Sequence, residues 1–225
     1  MDFAFDVIST EEYARQRESY GPLTDALRKL IDIGIHTAVD EATAREALEH
    51  LEKAAVLLEG EQRRATSTLR DAQSGRPIAW ANPAVGLRNA IAPPMIVEHN
   101  RDGSCWSEFT LGPAYEGPPG WVHGGICALL LDHILGEVAS LGLTQPRFTG
   151  TISLKYLRGT PLGQLRAEAF VERSEEIKTF ARGYLKDEQG ITVEAEGVFI
   201  TPAWARDGDG SSKGGLATEA GGNFS

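Results

Sequence analysis

The stretch from Gly120 to Leu141 constrains this chain more than any other: Gly-Trp-Val-His-Gly-Gly-Ile-Cys-Ala-Leu-Leu-Leu-Asp-His-Ile-Leu-Gly-Glu-Val-Ala-Ser-Leu. It reads as a glycine turn that opens a long helix, apolar on nearly every side, with Asp132 in the middle of the apolar run. A carboxylate in an apolar setting is costly unless it is paired or hydrogen-bonded. In front of it, Gly124 and Gly125 leave backbone N–H groups uncovered at the helix N-terminus. There the unpaired donors and the macrodipole favour an oxygen that is gaining negative charge. One helix thus offers an oxyanion cradle and a carboxylate, which is equipment for acyl transfer.

What surrounds the helix follows from the change of period on either side. Met95 to Glu98 and Cys105 to Leu111 are strand-like runs separated by the turn Asn-Arg-Asp-Gly, and the proline-rich Gly112 to Gly120 forms a loop beside the site. Beyond the helix four runs alternate with period two. In Phe148 to Tyr156, Thr149 and Thr151 fall on one face. The runs near Leu165 to Glu172, Thr179 to Leu185 and Thr192 to Ile200 follow, the last two joined by Asp-Glu-Gln-Gly. Connections this short force antiparallel neighbours. The expected fold is α+β, an antiparallel sheet wrapped around one long central helix.

Upstream, Leu23, Leu27, Leu30 and Ile31 recur at helical spacing from Pro22 to a stop at Gly34. Asp40 caps a second helix with Leu48, Leu51, Ala55 and Leu58 in one stripe, ended by Gly60. These amphipathic helices must lie on the following domain or on a partner subunit. His36 and His50 read as surface residues. From about Glu61 to Pro94 the chain is polar and interrupted by glycine and proline, a connecting segment with no domain of its own. The domains expected are a helical extension and linker over 1–82, the sheet-and-helix domain over 83–203, and a disordered tail over 204–225, rich in Gly, Ser and charge from Asp207 on.

A net charge of −10 argues against nucleic acid and an anionic membrane as partners. Cys105 and Cys127 suit buried, reduced thiols, and no metal site is expected. The acidic start lacks the features of a signal peptide, and the longest apolar run is far short of a membrane span, so the expected location is the cytoplasm.

Gly124 and Asp132 are separated by about 12 Å along the helix axis. No single carbonyl is polarised by one and attacked from the other, so the sequence suggests two antiparallel copies of the helix about a two-fold axis. The reaction that fits is hydrolysis of an activated acyl group, with the Gly124 amide on the oxyanion and Asp132 as general base or nucleophile. A thioester suits this modest apparatus, and no Gly-x-Ser-x-Gly elbow supports a serine hydrolase. His123 is either a partner of the loop or substrate or a purely structural residue. His133 points about 100° away from Asp132, and His99 falls in a turn.

Val-His-Gly-Gly at 122–125, with Asp132 nine residues after the histidine, resembles the motif of the hotdog-fold acyl-CoA thioesterases of the PaaI-like branch. The run Phe-Thr-Leu-Gly-Pro-Ala-Tyr-Glu-Gly-Pro-Pro-Gly from Phe109 to Gly120 resembles the loop ahead of that motif in mammalian thioesterase-superfamily relatives. The likeness covers roughly 83–202. It implies Gly124 as the oxyanion amide beside Gly125, Asp132 as base or nucleophile, and His123 as support of the glycine turn. Thr149 matches the hydroxyl that helps hold water, with Thr151 as a second candidate. Basic residues on strands and loops grip coenzyme A in the resembling fold, so Lys155 and Arg158 are either contacts to its phosphates or ordinary surface charges; coenzyme A enters as part of the substrate, with no separate cofactor. Gly136 excludes a branch that carries a hydroxyl one turn after the acid, and Glu116 and Gly117 stand where some members have asparagine. The resemblance implies an acyl-CoA thioesterase that works as a homodimer or tetramer. The alternatives are a hotdog hydratase or dehydratase, or a non-catalytic acyl-CoA-binding regulatory protein. No motif encodes the acyl chain.

Overall fold

A computed structural model describes residues 5–62, 68–93 and 95–206. The expected disorder of the tail from Asp207 on lies outside the described residues. The chain runs β1 (Phe5–Ile8), α1 (Thr10–His36), α2 (Glu41–Glu59), β2 (Thr68–Asp71), β3 (Pro77–Ile78), β4 (Glu98–His99), β5 (Cys105–Leu111), α3 (Gly124–Ala139), β6 (Phe148–Tyr156), β7 (Gly163–Glu175), β8 (Lys178–Asp187) and β9 (Gly190–Ile200), with short 3-10 turns at Pro113–Tyr115 and Ala203–Ala205.

Six strands form one antiparallel sheet in the order β4-β5-β7-β8-β9-β6, and α3 lies across it. The packing explains the strand sequences. Leu130, Leu131, Ile134, Leu135 and Val138 of α3 are fully buried, and the strand positions facing them are small: Ala167, Ala169, Ala181 and Ala195. A Cβ on Gly183 would sit 2.6 Å from the Glu168 carbonyl oxygen and 3.3 Å from Leu135. The helix therefore seats deep in the sheet, and every large core side chain on it loses its water, each worth roughly 1.5–3 kcal/mol. Asp187 pairs with Gly190 across the expected β8–β9 hairpin, and Gly190 takes φ +121°, a conformation that favours glycine. The strand expected at Met95 to Glu98 is confined to Glu98–His99.

The first third departs from expectation in three ways. α1 begins at Thr10, not Pro22, and carries Pro22 inside it. Ser9 caps it by accepting from the Glu12 amide at 3.1 Å. Its contacts are aromatic and cationic, with Tyr13 and Tyr20 edge-on to Trp80, Arg88 over the Tyr20 ring at 3.5 Å, and Arg28 donating to the Ala92 carbonyl. Leu27 and Leu30 of the expected stripe remain exposed. Second, α2 has its Asp40 cap but buries no residue, so it does not pack on the domain that follows. Third, the connecting segment carries β2 and β3, which join β1 in a three-stranded sheet ordered β1-β2-β3, with β1 parallel to β2.

Candidate active site

The glycine turn is held from both sides. His123 is the N-cap of α3, and its Nδ1 accepts from the Gly125 amide at 3.0 Å. Its own N–H donates to the Tyr115 carbonyl, and Gly117 donates to Trp121, so the loop before the helix folds back on itself. Among the described residues the Gly124 N–H has no acceptor, whereas the Gly124 carbonyl accepts from the Tyr156 hydroxyl at 2.8 Å. One of the two glycine amides is thus used by the cap, and the other stays available at the positive end of the helix.

Asp132 lies two turns further on, half-buried, on the side of α3 that faces β6. The Thr149 hydroxyl donates to its Oδ1 at 2.9 Å. The reason Thr149 reaches the helix is a bulge. Thr149 pairs with Phe199, but Thr151 pairs with Val198, so Gly150 is an extra residue in β6. Phe199 is in the core, which places Thr149 on the helix side; the bulge then reverses the alternation, and Thr151, Ser153 and Lys155 share the opposite face. The expectation that Thr149 and Thr151 share a face is therefore incorrect, and Thr151 does not stand in for Thr149. A Cβ at Gly150 would meet Ile200 Cδ1 at 2.7 Å and the Val198 carbonyl oxygen at 3.2 Å, which explains a glycine at the bulge.

The two basic candidates differ as well. Lys155 is exposed and lies opposite Glu194 of β9. Arg158 is engaged: its guanidinium binds both oxygens of Asp187 and the Gly190 carbonyl, and the Asp187 carboxylate raises its pKa further. That pair braces the β8–β9 turn and leaves Arg158 poorly placed for a phosphate.

The far side of α3 holds a group that sequence reasoning passed over. Glu137 is 2% exposed and meets Arg76 Nη2 and, at 2.9 Å, His99 Nε2, with His133 Nε2 at 3.9 Å. Arg76 also donates to the Gly142 carbonyl. Burial pushes the His133 imidazole below its ordinary pKa, against the pull of Glu137 and Asp132, and its Nε2 has no hydrogen-bond partner. Burial raises the Cys105 thiol to about 12, with Glu137 adding to the shift, and it raises the Cys127 thiol too, so neither is a nucleophile. A cavity of about 480 Å³ lies on this side, lined in part by Tyr13, Arg76, Trp80, His133 and Glu137. The i, i+4 spacing of His133 and Glu137 was readable; the distant partners Arg76 and His99 were not.

With this geometry in place, comparison with known proteins gives a consistent result. No protein-family model matches the chain. A solved structure described as a thioesterase superfamily protein is 33% identical, with a TM-score of 0.72, over 80% of this chain and 94% of that one. Mouse acyl-coenzyme A thioesterase THEM5 is 32% identical over 95 residues, 41% of this chain and 38% of its own length. Acyl-coenzyme A thioesterase THEM4 of Xenopus laevis is 33% identical over 95 residues, 41% of this chain and 42% of its own. The chain thus spans about two fifths of the length of these curated relatives. It belongs to the thioesterase superfamily, and its sheet wrapped on α3 is the hotdog fold of that family.

Proposed function

We propose that the protein hydrolyses an acyl-CoA thioester to a free acid and coenzyme A, at sites shared between two copies of the chain. The observation that carries this reading is the Thr149–Asp132 hydrogen bond on the same helix as the unused Gly124 amide. Thr149 engages Oδ1 and leaves Oδ2 as an acceptor for water. Asp132 takes a proton from that water as its oxygen attacks the thioester carbonyl. The Gly124 amide of a second copy holds the oxyanion; the C–S bond then breaks, and the departing thiolate collects the proton. A second copy is required because one chain keeps Gly124 and Asp132 about 12 Å apart along the axis. The surface around β6 supports such a contact. It is an outer strand of the sheet, and Phe148, Tyr156 and Leu157 are exposed along it, with Trp121 also exposed. The acyl-CoA thioesterases among the relatives support the substrate class.

The test is release of free thiol from a panel of short, long and aromatic acyl-CoAs. Asp132→Asn keeps an acceptor for Thr149 and is expected to lower turnover by roughly 10²-fold or more. Unchanged turnover in that variant removes Asp132 from the chemistry. Single turnover in ¹⁸O-water is expected to label the product acid alone; label in the Asp132 carboxyl would identify a nucleophile instead of a base.

A further inference from the structure

α2 is nineteen residues long and buries none of them. A helix of this length is marginal in water by itself, because helical stability in proteins comes mostly from packing an amphipathic face. Along it Ala44, Leu48, Leu51, Ala55 and Leu58 recur in alternating steps of four and three, the seam spacing of a coiled coil. Leu48, Leu51 and Leu58 are 52%, 45% and 46% exposed. Val56 and Leu57 lie outside the seam.

We propose that α2 pairs antiparallel, about a two-fold axis, with α2 of a second copy of this chain. From Ala44 to Ala55 the seam is complementary to itself, and Leu58 falls beyond that stretch, opposite Glu41 of the second copy. With the axis between Leu48 and Leu51, each Leu48 meets Leu51 of the second copy, and each Ala44 meets its Ala55. A two-fold contact of this kind is isologous, so one stripe supplies both halves. The same register sets Arg45 beside Glu52 of the second copy, twice over, on the flank where coiled coils place their ion pairs. A seam about 28 Å long and about 10 Å wide covers roughly 300 Å², less than the roughly 800 Å² per partner of a stable complex. The pairing therefore adds to the contact proposed at α3 and does not replace it. To that extent it rests on the two-copy site.

The test separates the two. Leu48→Cys and Leu51→Cys are prepared as separate full-length proteins, mixed and oxidised; Cys105 and Cys127, each 1% exposed, stay silent. A covalent heterodimer is expected, and none from Glu46→Cys, which lies on the opposite side of the helix. In the same assay Arg45→Glu or Glu52→Arg alone should lower the cross-linking yield about threefold, and the two together should restore it. No heterodimer, or an equal yield from Glu46→Cys, overturns the pairing. An equal fall in both single variants and the double variant overturns the register. Thiol release is read on the same samples. Cross-linking without thiol release sinks the enzymatic reading alone, and thiol release without cross-linking sinks the pairing alone.

Discussion

Asp132 and Glu137 sit five residues apart on one helix, and the fold treats them in opposite ways. Glu137 is buried and surrounded by nitrogen: Arg76, His99 and, further off, His133. Asp132 is half-buried and has one hydroxyl partner. Arg76 and His99 both engage Oε1 of Glu137, which ties that carboxylate into the fold through a cation and an imidazole. Asp132 has one neutral donor, on Oδ1, and keeps the lone pairs of Oδ2 for a further donor. The comparison teaches that burial alone does not pick out the acid proposed to act on a substrate; a half-exposed setting with no cation among its partners does.

The sharpest way to break this contrast is to attack the Glu137 side. Arg76→Met removes the cation and leaves a buried carboxylate with imidazole partners only. Loss of one partner of a buried pair is strongly destabilising, but the Arg76 side chain is 41% exposed, so part of the effect is already screened. The expected cost is about 2 kcal/mol, or about 4–8 °C in Tm for a chain of this size. Turnover per folded molecule should hold. Thermal unfolding beside an acyl-CoA assay checks both, and a variant that melts normally but fails to turn over would show that the two carboxylates are not divided as described.

On the Asp132 side, Thr149→Val deletes the hydroxyl and keeps the shape. Losing one hydrogen bond to a charged acceptor costs about 1.4 kcal/mol, or about 3–6 °C in Tm. Turnover per folded molecule should fall about tenfold as Asp132 loses its orientation. Thr151→Val should change nothing, because the bulge at Gly150 turns that side chain away from α3. Equal losses from both substitutions would refute the assignment of faces.

This pair of threonines also shows where sequence reading stops. The long apolar helix and the strands around it were legible, because periods of 3.6 and 2 over many residues leave few alternatives. Strict alternation, however, put Thr149 and Thr151 on one face, and a single inserted residue at Gly150 reversed that without altering the pattern of residue types. The early start of α1 was legible in Ser9 and Glu12, a capping-box spacing, but Pro22 drew the boundary twelve residues too late. The small sheet was not legible: Phe5 pairs with Thr68, and neither run alternates long enough to announce a strand. The Glu137 cluster was hidden for the same reason, since Arg76 and His99 come from distant parts of the chain and meet it only after folding.

A smaller effect on the Glu137 side comes from His133. Burial lowers its pKa from the ordinary value of about 6.5, so the folded protein holds it neutral while the unfolded chain takes up a proton. The unfolded state then binds more protons below that value, and stability falls as the pH drops through about 6.5 towards the depressed folded value. The slope is at most about 1.4 kcal/mol per pH unit. His133→Leu should flatten the curve of urea midpoint between pH 7.5 and 5, and since Nε2 has no hydrogen bond to lose, the variant should fold. An unchanged slope would show that His133 is not held neutral.

The smallest expected effect returns to the N-terminus of α3. The peptide joining Gly124 and Gly125 is pinned at both ends, its carbonyl by the Tyr156 hydroxyl at 2.8 Å and its N–H by His123 Nδ1 at 3.0 Å. Tyr156 closes one end of β6 on the helix, as Thr149 does the other. Neither bond touches the Gly124 N–H; both fix the backbone immediately after it and hence the direction in which that N–H points. Tyr156→Phe keeps the ring packed and frees only the carbonyl, which retains the helix hydrogen bond. The amide then has more freedom to turn away from a developing oxyanion, and kcat should fall about threefold while KM is unchanged, a loss of about 0.6 kcal/mol confined to the transition state. A rise in KM with kcat intact would mean that Tyr156 contacts the substrate and does not orient the turn. No change in either would mean that the His123 cap holds the turn unaided.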